Sequence, residues 1–291
     1  MLKIRSLMLT FMLICCMATL HAKHYTVSAT AIFKNEARFL REWIEYHQLI
    51  GVEHFYLYNN NSSDNFQQIL APYILMGIVE LFNWSKTYET TQEWTDIQCS
   101  AYKDAVDRSK HKTKWLAILD IDEYIVPVQH NKLSQVLKEF EKFGGVCVNW
   151  QMYGTSYVSK IGPSELLTEK LVYKAETQYG ENAFVKSIVR PSRVRDITDP
   201  HFVRYKHGYF QVNTNKEQTA NAISQIILTD KLRINHYWTK DEEFFNTVKI
   251  GRREAWTEGY QNIMTRAGNL NQVHDNIMSR FVPHLRKRMG L

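Results

Sequence analysis

Apolar residues along this chain follow two periods in alternation, one typical of strands and the other of helices. Residues 25–33, YTVSATAIF, form an apolar, β-branched run that predicts a buried strand. In residues 37–51 the apolar side chains recur at helical spacing, and the segment ends at Gly51. The pattern therefore begins with a strand, a short polar loop and a helix.

This unit of strand and helix repeats along the chain. Further strands are predicted at 52–59, 78–84 and 114–127, and further helices at 66–77 and 95–110. Strands that alternate with helices are typical of an α/β fold with a mostly parallel central sheet and helices on both faces. We expect that architecture here.

The composition supports one packed domain. Of the 291 residues, 44% are hydrophobic and 13% are aromatic, which is ample for a large core. With 12 Gly and 6 Pro the chain has no obvious linker, and no segment of about 20 to 50 residues repeats. Residues 23–291 are therefore predicted to form a single domain, with a helical extension from about 240 to 291.

The first 22 residues have a different pattern. Lys3 and Arg5 precede an uncharged stretch at 6–22, which is short for the ~20 apolar residues of a membrane span and ends in Leu-His-Ala. Residues 1–22 are therefore predicted to be a signal peptide or a signal anchor. The protein is expected to be exported or membrane-anchored, in the secretory pathway or Golgi lumen of a eukaryote or in the cell envelope of a bacterium.

The net charge is mildly basic. Without the leader the chain has 34 basic and 30 acidic side chains, a formal charge of +4. That excess suits an anionic small substrate or a membrane surface, but it lacks the dense basic stripe of a protein that binds nucleic acid. Cys99 and Cys147 predict either one disulfide or two buried thiols, and their spacing does not fit a metal site.

Three acids stand where the apolar strand WLAIL runs out into DIDEY, residues 120–124. If the strand continues, Asp120 and Asp122 project from one face, because side chains alternate along a strand. Two neighbouring carboxylates repel each other unless a cation or a proton relieves them. A hard divalent cation, Mn²⁺ or Mg²⁺, is the natural partner, and it would leave positions for phosphate oxygens.

Two other interpretations of these acids fail. An EF-hand loop that begins at Asp120 needs Gly at its sixth position and Glu at its twelfth, where this chain has Ile and Asn. A phosphotransferase with a nucleophilic Asp normally has a small hydroxylated residue soon afterwards and uses the first strand. Here Glu123 and Tyr124 follow, on the fourth predicted strand.

Polar loops also follow the first two predicted strands. Ligands of α/β sheets bind in the crevice at the carboxyl ends of the strands, so these loops are candidates for ligand binding. They contain Asn35 and Glu36 in KNE, and Asn60 and Asp64 in NNNSSDN.

Several of these segments together resemble glycosyltransferase family 92. The resemblance rests on KNEARFLREWIEYHQLIGVEHFYLYNNNSSDN, WLAILDIDEY, VKSIVRP and INHYWTKDEEFF in that order, and it spans roughly residues 25–255. It implies a GT-A fold, a nucleotide-sugar donor with UDP-galactose favoured, an Asp-x-Asp motif that binds Mn²⁺ and the donor diphosphate, and an inverting transfer. Asn59 departs from the family's usual Asp, which puts a nucleotide contact by that side chain in doubt.

An inverting transfer needs a carboxylate base for the acceptor hydroxyl, here expected to belong to a glycan or glycoconjugate. Glu181 in YGENAF is the preferred candidate. Asp196 and Asp199 in RDITDP remain alternatives, and each of the three fits an ordinary loop acid better than a base.

Basic residues later in the chain complete the predicted site. His236 in RINHYW is a candidate third metal ligand or diphosphate contact, or else a structural histidine, and His201 is a weaker case. Lys186 and Arg190 in FVKSIVRP would face the same side of a strand and bind phosphate together, or form a solvated strand face.

Two further classes of function stay open at this stage. A catalytically inactive carbohydrate- or nucleotide-binding module would keep the fold without needing both Asp120 and Asp122. A metal-dependent phosphodiesterase would use the same carboxylates, with more clustered His and Asp ligands than this chain offers.

Overall fold

The strands and helices of the fold alternate over the first half of the chain as predicted. The computed structural model describes residues 24–255 and 258–291. The strands are β1 (Tyr25–Phe33), β2 (His54–Asn59), β3 (Val79–Asn83), β4 (Thr113–Ile118), β5 (Glu123–Pro127), β6 (Gly145–Met152), β7 (Tyr173–Lys174), β8 (Val185–Val189), β9 (Val194–Asp199), β10 (Phe202–Tyr205), β11 (Gln211–Val212), β12 (Gln218–Thr219), β13 (Leu232–His236) and β14 (Val273–His274). The α-helices are α1 (Ala37–Leu49), α2 (Phe66–Leu75), α3 (Thr91–Ser109), α4 (Leu133–Leu137), α5 (Leu167–Lys170), α6 (Glu242–Phe244), α7 (Ile250–Glu254), α8 (Tyr260–Gly268) and α9 (Val282–Met289), and a π-helical turn (Phe245–Lys249) joins α6 to α7.

One large sheet carries the site. Its strands run in the order β12-β11-β6-β8-β4-β1-β2-β3, and β13 joins β6 to β5 outside that path. Strands β1 to β4 pair in parallel, whereas β8 lies antiparallel between β4 and β6. The predicted α/β class is confirmed, with a parallel half and a mixed half.

Helices cover both faces of the sheet, because the strands are apolar on both sides. Val27, Ala29 and Ala31 of β1 pack in a core that includes α1 and α2. Ile32 of the same strand packs in a second core, with α3. A strand buried on both faces has a nearly continuous apolar sequence, which is why β1 was easy to recognise.

The prediction of one long strand at 114–127 was wrong. β4 ends at Ile118, the chain turns at 119–122, and β5 begins at Glu123. β5 then pairs antiparallel with β13 instead of extending β4. The apolar residues on both sides of the acids concealed this bend, since each side is buried in its own strand. Asp120 and Asp122 therefore lie in a turn at the carboxyl edge of the parallel strands.

The predicted leader at 1–22 lies outside the described residues. Within residues 24–255 and 258–291, no helix has the length and apolar character needed to cross a bilayer. Cys99 and Cys147 are both buried free thiols, so of the two alternatives the structure has thiols. The chain after residue 240 is largely helical, and α9 packs against α1.

We expect His47 to make the fold sensitive to mild acid. The ring is buried, with Nδ1 2.8 Å from the Trp43 carbonyl oxygen and Nε2 3.4 Å from the amide nitrogen of Ile125. Burial lowers the pKa of His47 from its ordinary 6.5 to about 3. The unfolded chain takes up this proton below pH 6.5 and the folded protein does not, so stability is lost as the pH falls. Between pH 6.5 and 5 the loss is about 1.6 kcal/mol for this residue.

The measurement is urea unfolding of the wild type, His47→Gln and His111→Gln at several pH values. The dependence on pH should be shallower for His47→Gln, because glutamine can replace both hydrogen bonds without ionising. His111 lies in an exposed turn, and its variant should follow the wild type. Equal slopes for all three proteins would contradict this explanation.

Candidate functional site

A cavity of about 410 Å³ lies at the carboxyl edge of the parallel strands, where the turn at 119–122 emerges. Its wall combines acids, bases and aromatic rings: Phe33, Lys34, Glu36, Tyr88, Trp94, Gln98, Asp120, Asp122, Trp150, Glu181, Phe184, His201, His236, Trp238, Lys249, Arg252, Arg253 and Arg266. The position is the one at which α/β sheets bind ligands.

Asp120 is held from two sides. Its Oδ1 accepts hydrogen bonds from Gln98 Nε2 and Tyr102 Oη of α3, both at 2.9 Å, and its Oδ2 lies 2.9 Å from Lys186 Nζ. Burial alone would raise the pKa of Asp120, but the Lys186 ammonium and the hydrogen bonds from Lys186 and Tyr102 together outweigh burial and lower the pKa. Asp120 is therefore an ionised group with a fixed orientation.

Asp122 meets the side chains of two other elements. Its Oδ1 lies 3.5 Å from Nε2 of His236, at the end of β13, and its Oδ2 lies 3.3 Å from Nζ of Lys249, in the π-helical turn. Burial would raise the pKa of Asp122, yet Lys249 and His236 together hold it well below its usual value. Asp122 is thus an anion at physiological pH.

Asp122 and His236 fit a divalent metal better than Asp120 does. Both line the cavity, they offer a carboxylate oxygen and an imidazole nitrogen, and His236 Nδ1 is buried without a hydrogen-bond partner. Asp120 already accepts three hydrogen bonds. In the described part of the chain no three His, Cys, Asp or Glu side chains are grouped to hold a metal, so phosphate oxygens and water would have to complete the coordination.

Lys186 lies under the acidic turn, fully buried. Besides Asp120, its Nζ lies 3.6 Å from Oε2 of Glu123, which accepts the Asp120 amide and is buried. Burial raises the pKa of Glu123 well above its usual value. Lys186 is thus the counter-charge that holds the turn from below.

Neither Lys186 nor Arg190 lines the cavity, contrary to the expectation of one shared strand face that binds phosphate. β8 ends at Val189, and Arg190 beyond it donates to the Glu141 carbonyl oxygen at 2.8 Å. Its guanidinium lies over the Trp115 ring. The expectation assumed that the strand continued one residue further than it does.

The loops after β1 and β2 hold each other in place. Asn35 Oδ1 accepts from the Ser63 amide, Asp64 Oδ2 from the Ala37 amide, and Asn60 Nδ2 donates to the carbonyls of Trp84 and Lys86. These three predicted ligand-binding residues do not line the cavity. Asn, Asp and Ser in turns often form hydrogen bonds with the backbone in this way. The polar motifs therefore predicted ligand binding, whereas in the structure these side chains stabilise the loops.

Glu36 does line the cavity, but its carboxylate is already paired. It bonds Lys240 Nζ and lies 3.3 Å from Arg252 Nη1. The Lys240 ammonium in turn lies within 4.2 Å of the ring centroids of Phe39 and Phe244. Glu36 therefore fastens the C-terminal segment to the loop after β1.

Glu181 lines the cavity, in a 3₁₀ turn (Gly180–Ala183). Its Oε1 lies 2.6 Å from Arg266 Nε, and burial raises its pKa although Arg266 opposes the shift.

The alternative base candidates do not line the cavity. Asp196 pairs with Lys103 at 2.8 Å on the outside of the molecule, and Asp199 accepts the His201 amide. His201 does line the cavity, where burial lowers its pKa to about 4 and its Nδ1 lies 3.0 Å from the Val185 carbonyl oxygen. Glu181 is thus the one base candidate of the three that the structure brings to the cavity.

The local sequence does not reveal the basic wall formed by Lys249, Arg252, Arg253 and Arg266. In the sequence, KIGRRE has the pattern of a solvated helix face, and nothing local distinguishes it from one. The aromatic residues Tyr88 and Trp94 were missed as well, although the capping box of Thr90 and Glu93 that starts α3 beside them can be found from the T-x-x-E spacing.

Comparison with known proteins places these features in a family. Residues 23–264 match the model of glycosyltransferase family 92. A glycosyltransferase family 92 protein of Oryza sativa subsp. japonica is 27% identical over 250 residues, covering 82% of this chain and 38% of that protein. A galactan β-1,4-galactosyltransferase of Arabidopsis thaliana is 22% identical over 272 residues, covering 90% of this chain and 50% of that protein.

Coverage of the known proteins is partial. Among solved structures, S. aureus TarS 1–349 aligns with 74% of this chain and 61% of its own, at 16% identity and a TM-score of 0.39. The chain spans half the length or less of the two plant relatives.

We expect Lys186→Met to destabilise the protein by about 3 kcal/mol or more, because it leaves the ionised Asp120 beside an apolar core without its cation. Urea unfolding at pH 7 measures the loss. The double variant Lys186→Met/Asp120→Asn should recover part of it, since the unpaired charge of Asp120 is then gone.

Lys114→Met is the matched control. Lys114 also pairs with a carboxylate, Glu141 Oε1 at 2.5 Å, but at the surface. Such pairs contribute about 1 kcal/mol or less. If the two lysine variants lost the same stability, Lys186 would have no special role under the turn.

Proposed function

Because the chain belongs to glycosyltransferase family 92, we propose that it is a metal-dependent, inverting glycosyltransferase that moves a hexose from a UDP-sugar to a hydroxyl of a glycan or glycoconjugate. UDP-galactose is the favoured donor. The single observation that carries the proposal is the meeting of Asp122 Oδ1 and His236 Nε2, 3.5 Å apart, in the cavity at the carboxyl edge of the parallel strands.

The donor diphosphate fits the charges of this cavity. Asp122 and His236 would hold Mn²⁺ or Mg²⁺, which when bound supplies charge stabilisation for the departing diphosphate. Lys249 and Arg252 present further positive charge on the same wall. Asp120 keeps the turn in shape through Gln98, Tyr102 and Lys186 and is expected to orient Asp122 rather than to ligate the metal.

Glu181 is the proposed base. It would take the proton of the acceptor hydroxyl as that oxygen attacks the anomeric carbon from the side opposite the diphosphate. Its raised pKa makes it a stronger base than an exposed glutamate, and Arg266 fixes its orientation. The rings of Tyr88, Trp94 and Trp238 offer apolar faces on which a nucleoside base or a sugar can stack.

The name of the Arabidopsis relative, a galactan β-1,4-galactosyltransferase, supports galactose as the transferred sugar. An exported or membrane-anchored location, with the predicted leader directing it, belongs to the same proposal. It agrees with an acceptor that is a glycan, because glycans are built largely in the secretory pathway or the cell envelope.

Asp122→Asn should lower Mn²⁺-dependent transfer from UDP-galactose by at least ~10²-fold, the scale expected when stabilisation of a leaving group is lost. The assay measures UDP release with a panel of galactose-terminated acceptors, with and without Mn²⁺. Asp196→Asn is the control, because Asp196 is also a loop acid but pairs with Lys103 outside the cavity. Wild-type rates and an unchanged response to Mn²⁺ in Asp122→Asn would exclude this metal site.

Glu181→Gln should abolish most of the transfer while leaving UDP binding within about twofold of the wild type, since a base acts on the acceptor and not on the nucleotide. NMR of the wild-type product reports the anomeric configuration, and inversion is expected. Hydrolysis of the UDP-sugar that leaves the hydroxyl acceptor unmodified would favour a phosphodiesterase, and binding without turnover would favour an inactive module.

A further inference from the structure

Lys249 is held by a carboxylate that has a second function in the proposed reaction. Its Nζ lies 3.3 Å from Asp122 Oδ2 and 5.1 Å from the centroid of the Trp238 ring. Within residues 24–255 and 258–291, this is the one hydrogen bond that its ammonium makes. The side chain is only 12% exposed, which is unusual for a lysine at a cavity wall.

The neighbouring bases have other partners. Arg252 is tied to Glu36 and to the Lys34 carbonyl, and Arg266 to Glu181 and Glu258. Lys249 therefore differs from these two side chains in that its partner is the proposed metal ligand itself.

The backbone at Lys249 has a special form. Residues Phe245–Lys249 make a π-helical turn between α6 and α7, and Lys249 is the last residue of that turn. Such a turn inserts an additional residue into a helix and shifts the direction of the side chains that follow, and it is often found at functional sites. The Asp241 side chain fixes the start of this segment by accepting the Phe244 amide at 2.9 Å.

A divalent cation at Asp122 would compete with Lys249. The ammonium and the cation would then lie within a few ångströms of each other in a partly buried site, where like charges repel strongly. Lys249 would have to give up Asp122. The diphosphate brought by the donor would offer a compensating charge, and a lysine ammonium is a good phosphate partner on a long flexible stem.

We infer that Lys249 is an exchanging cation: it neutralises Asp122 in the structure seen here and transfers to the donor diphosphate when a metal takes its place on Asp122. This inference rests on the proposed function and deepens it, because it adds a residue that touches the leaving group. It also predicts that metal and nucleotide bind cooperatively, since the nucleotide offers Lys249 a new partner when the metal displaces it.

The experiment measures two affinities in the full chain, that of Mn²⁺ alone by electron paramagnetic resonance and that of UDP at saturating Mn²⁺ by calorimetry. In Lys249→Met the competitor for Asp122 is absent, so Mn²⁺ alone should bind about 5-fold tighter or more, within the usual range of couplings between sites. UDP should bind about 10-fold more weakly, because one charge-assisted hydrogen bond to phosphate is lost. The two affinities thus change in opposite directions.

Lys160→Met is the matched control. Lys160 pairs with Glu243 of α6 at 2.7 Å, close to the same segment but at the surface, and its variant should leave both affinities unchanged. Lys249→Gln is measured as a second variant in case Lys249→Met does not fold, with thermal unfolding of each protein as the check.

If Lys249 had a purely structural role, Lys249→Met would weaken the binding of both Mn²⁺ and UDP. That result would overturn the exchange. An unchanged UDP affinity would also overturn it. If the wild type binds neither Mn²⁺ nor UDP, the proposed function itself is wrong and the inference falls with it. If the wild type binds both and Lys249→Met matches it, only the exchange is wrong.

Discussion

The buried ammonium of Lys186 is the interaction on which the geometry of the site depends. It lies in β8, the antiparallel strand between β4 and β6, and reaches Asp120 and Glu123 from beneath the turn. Two carboxylates at the end of a buried strand cost free energy unless a cation compensates them. Lys186 provides that charge within the sheet itself, so the turn can keep its shape whether or not the cavity holds a ligand.

A second set of charges closes the cavity from the other side. Glu36 joins the loop after β1 to Lys240 and Arg252, and Arg266 joins the 3₁₀ turn of Glu181 to the C-terminal helices. These contacts connect residues that are more than eighty positions apart in sequence, and they turn the C-terminal segment into a wall of the site. The wall carries basic side chains, whereas the turn at 119–122 below it carries acidic ones. A ligand with a diphosphate and a metal carries both kinds of charge and matches both surfaces.

Many of the ionised groups in the cavity have partners, and this arrangement has a chemical consequence. Asp120, Asp122, Glu36 and Glu181 each bond at least one basic side chain. A polyanionic substrate that approaches Lys249, Arg252 or Arg266 therefore meets positive charges that are already paired. Binding would require these charges to exchange partners. The affinity then depends on the difference in free energy between the ion pairs that break and those that form. Asp122 is the site of such an exchange, because it faces a histidine and a lysine held by two separate elements.

The sequence by itself determined the α/β class, the order of the first strands and helices, and the family. These properties follow from local periodicity and from motifs read in order, which neighbouring residues along the chain specify. The tertiary structure alone decided that Asp120 is held by α3 and β8 whereas Asp122 meets His236 and Lys249, that Asn35, Asn60 and Asp64 brace loops, and that Arg190 leaves the site. The physical reason is that the orientation and function of a charged side chain depend on its partners. Here those partners lie on strands and helices far along the chain.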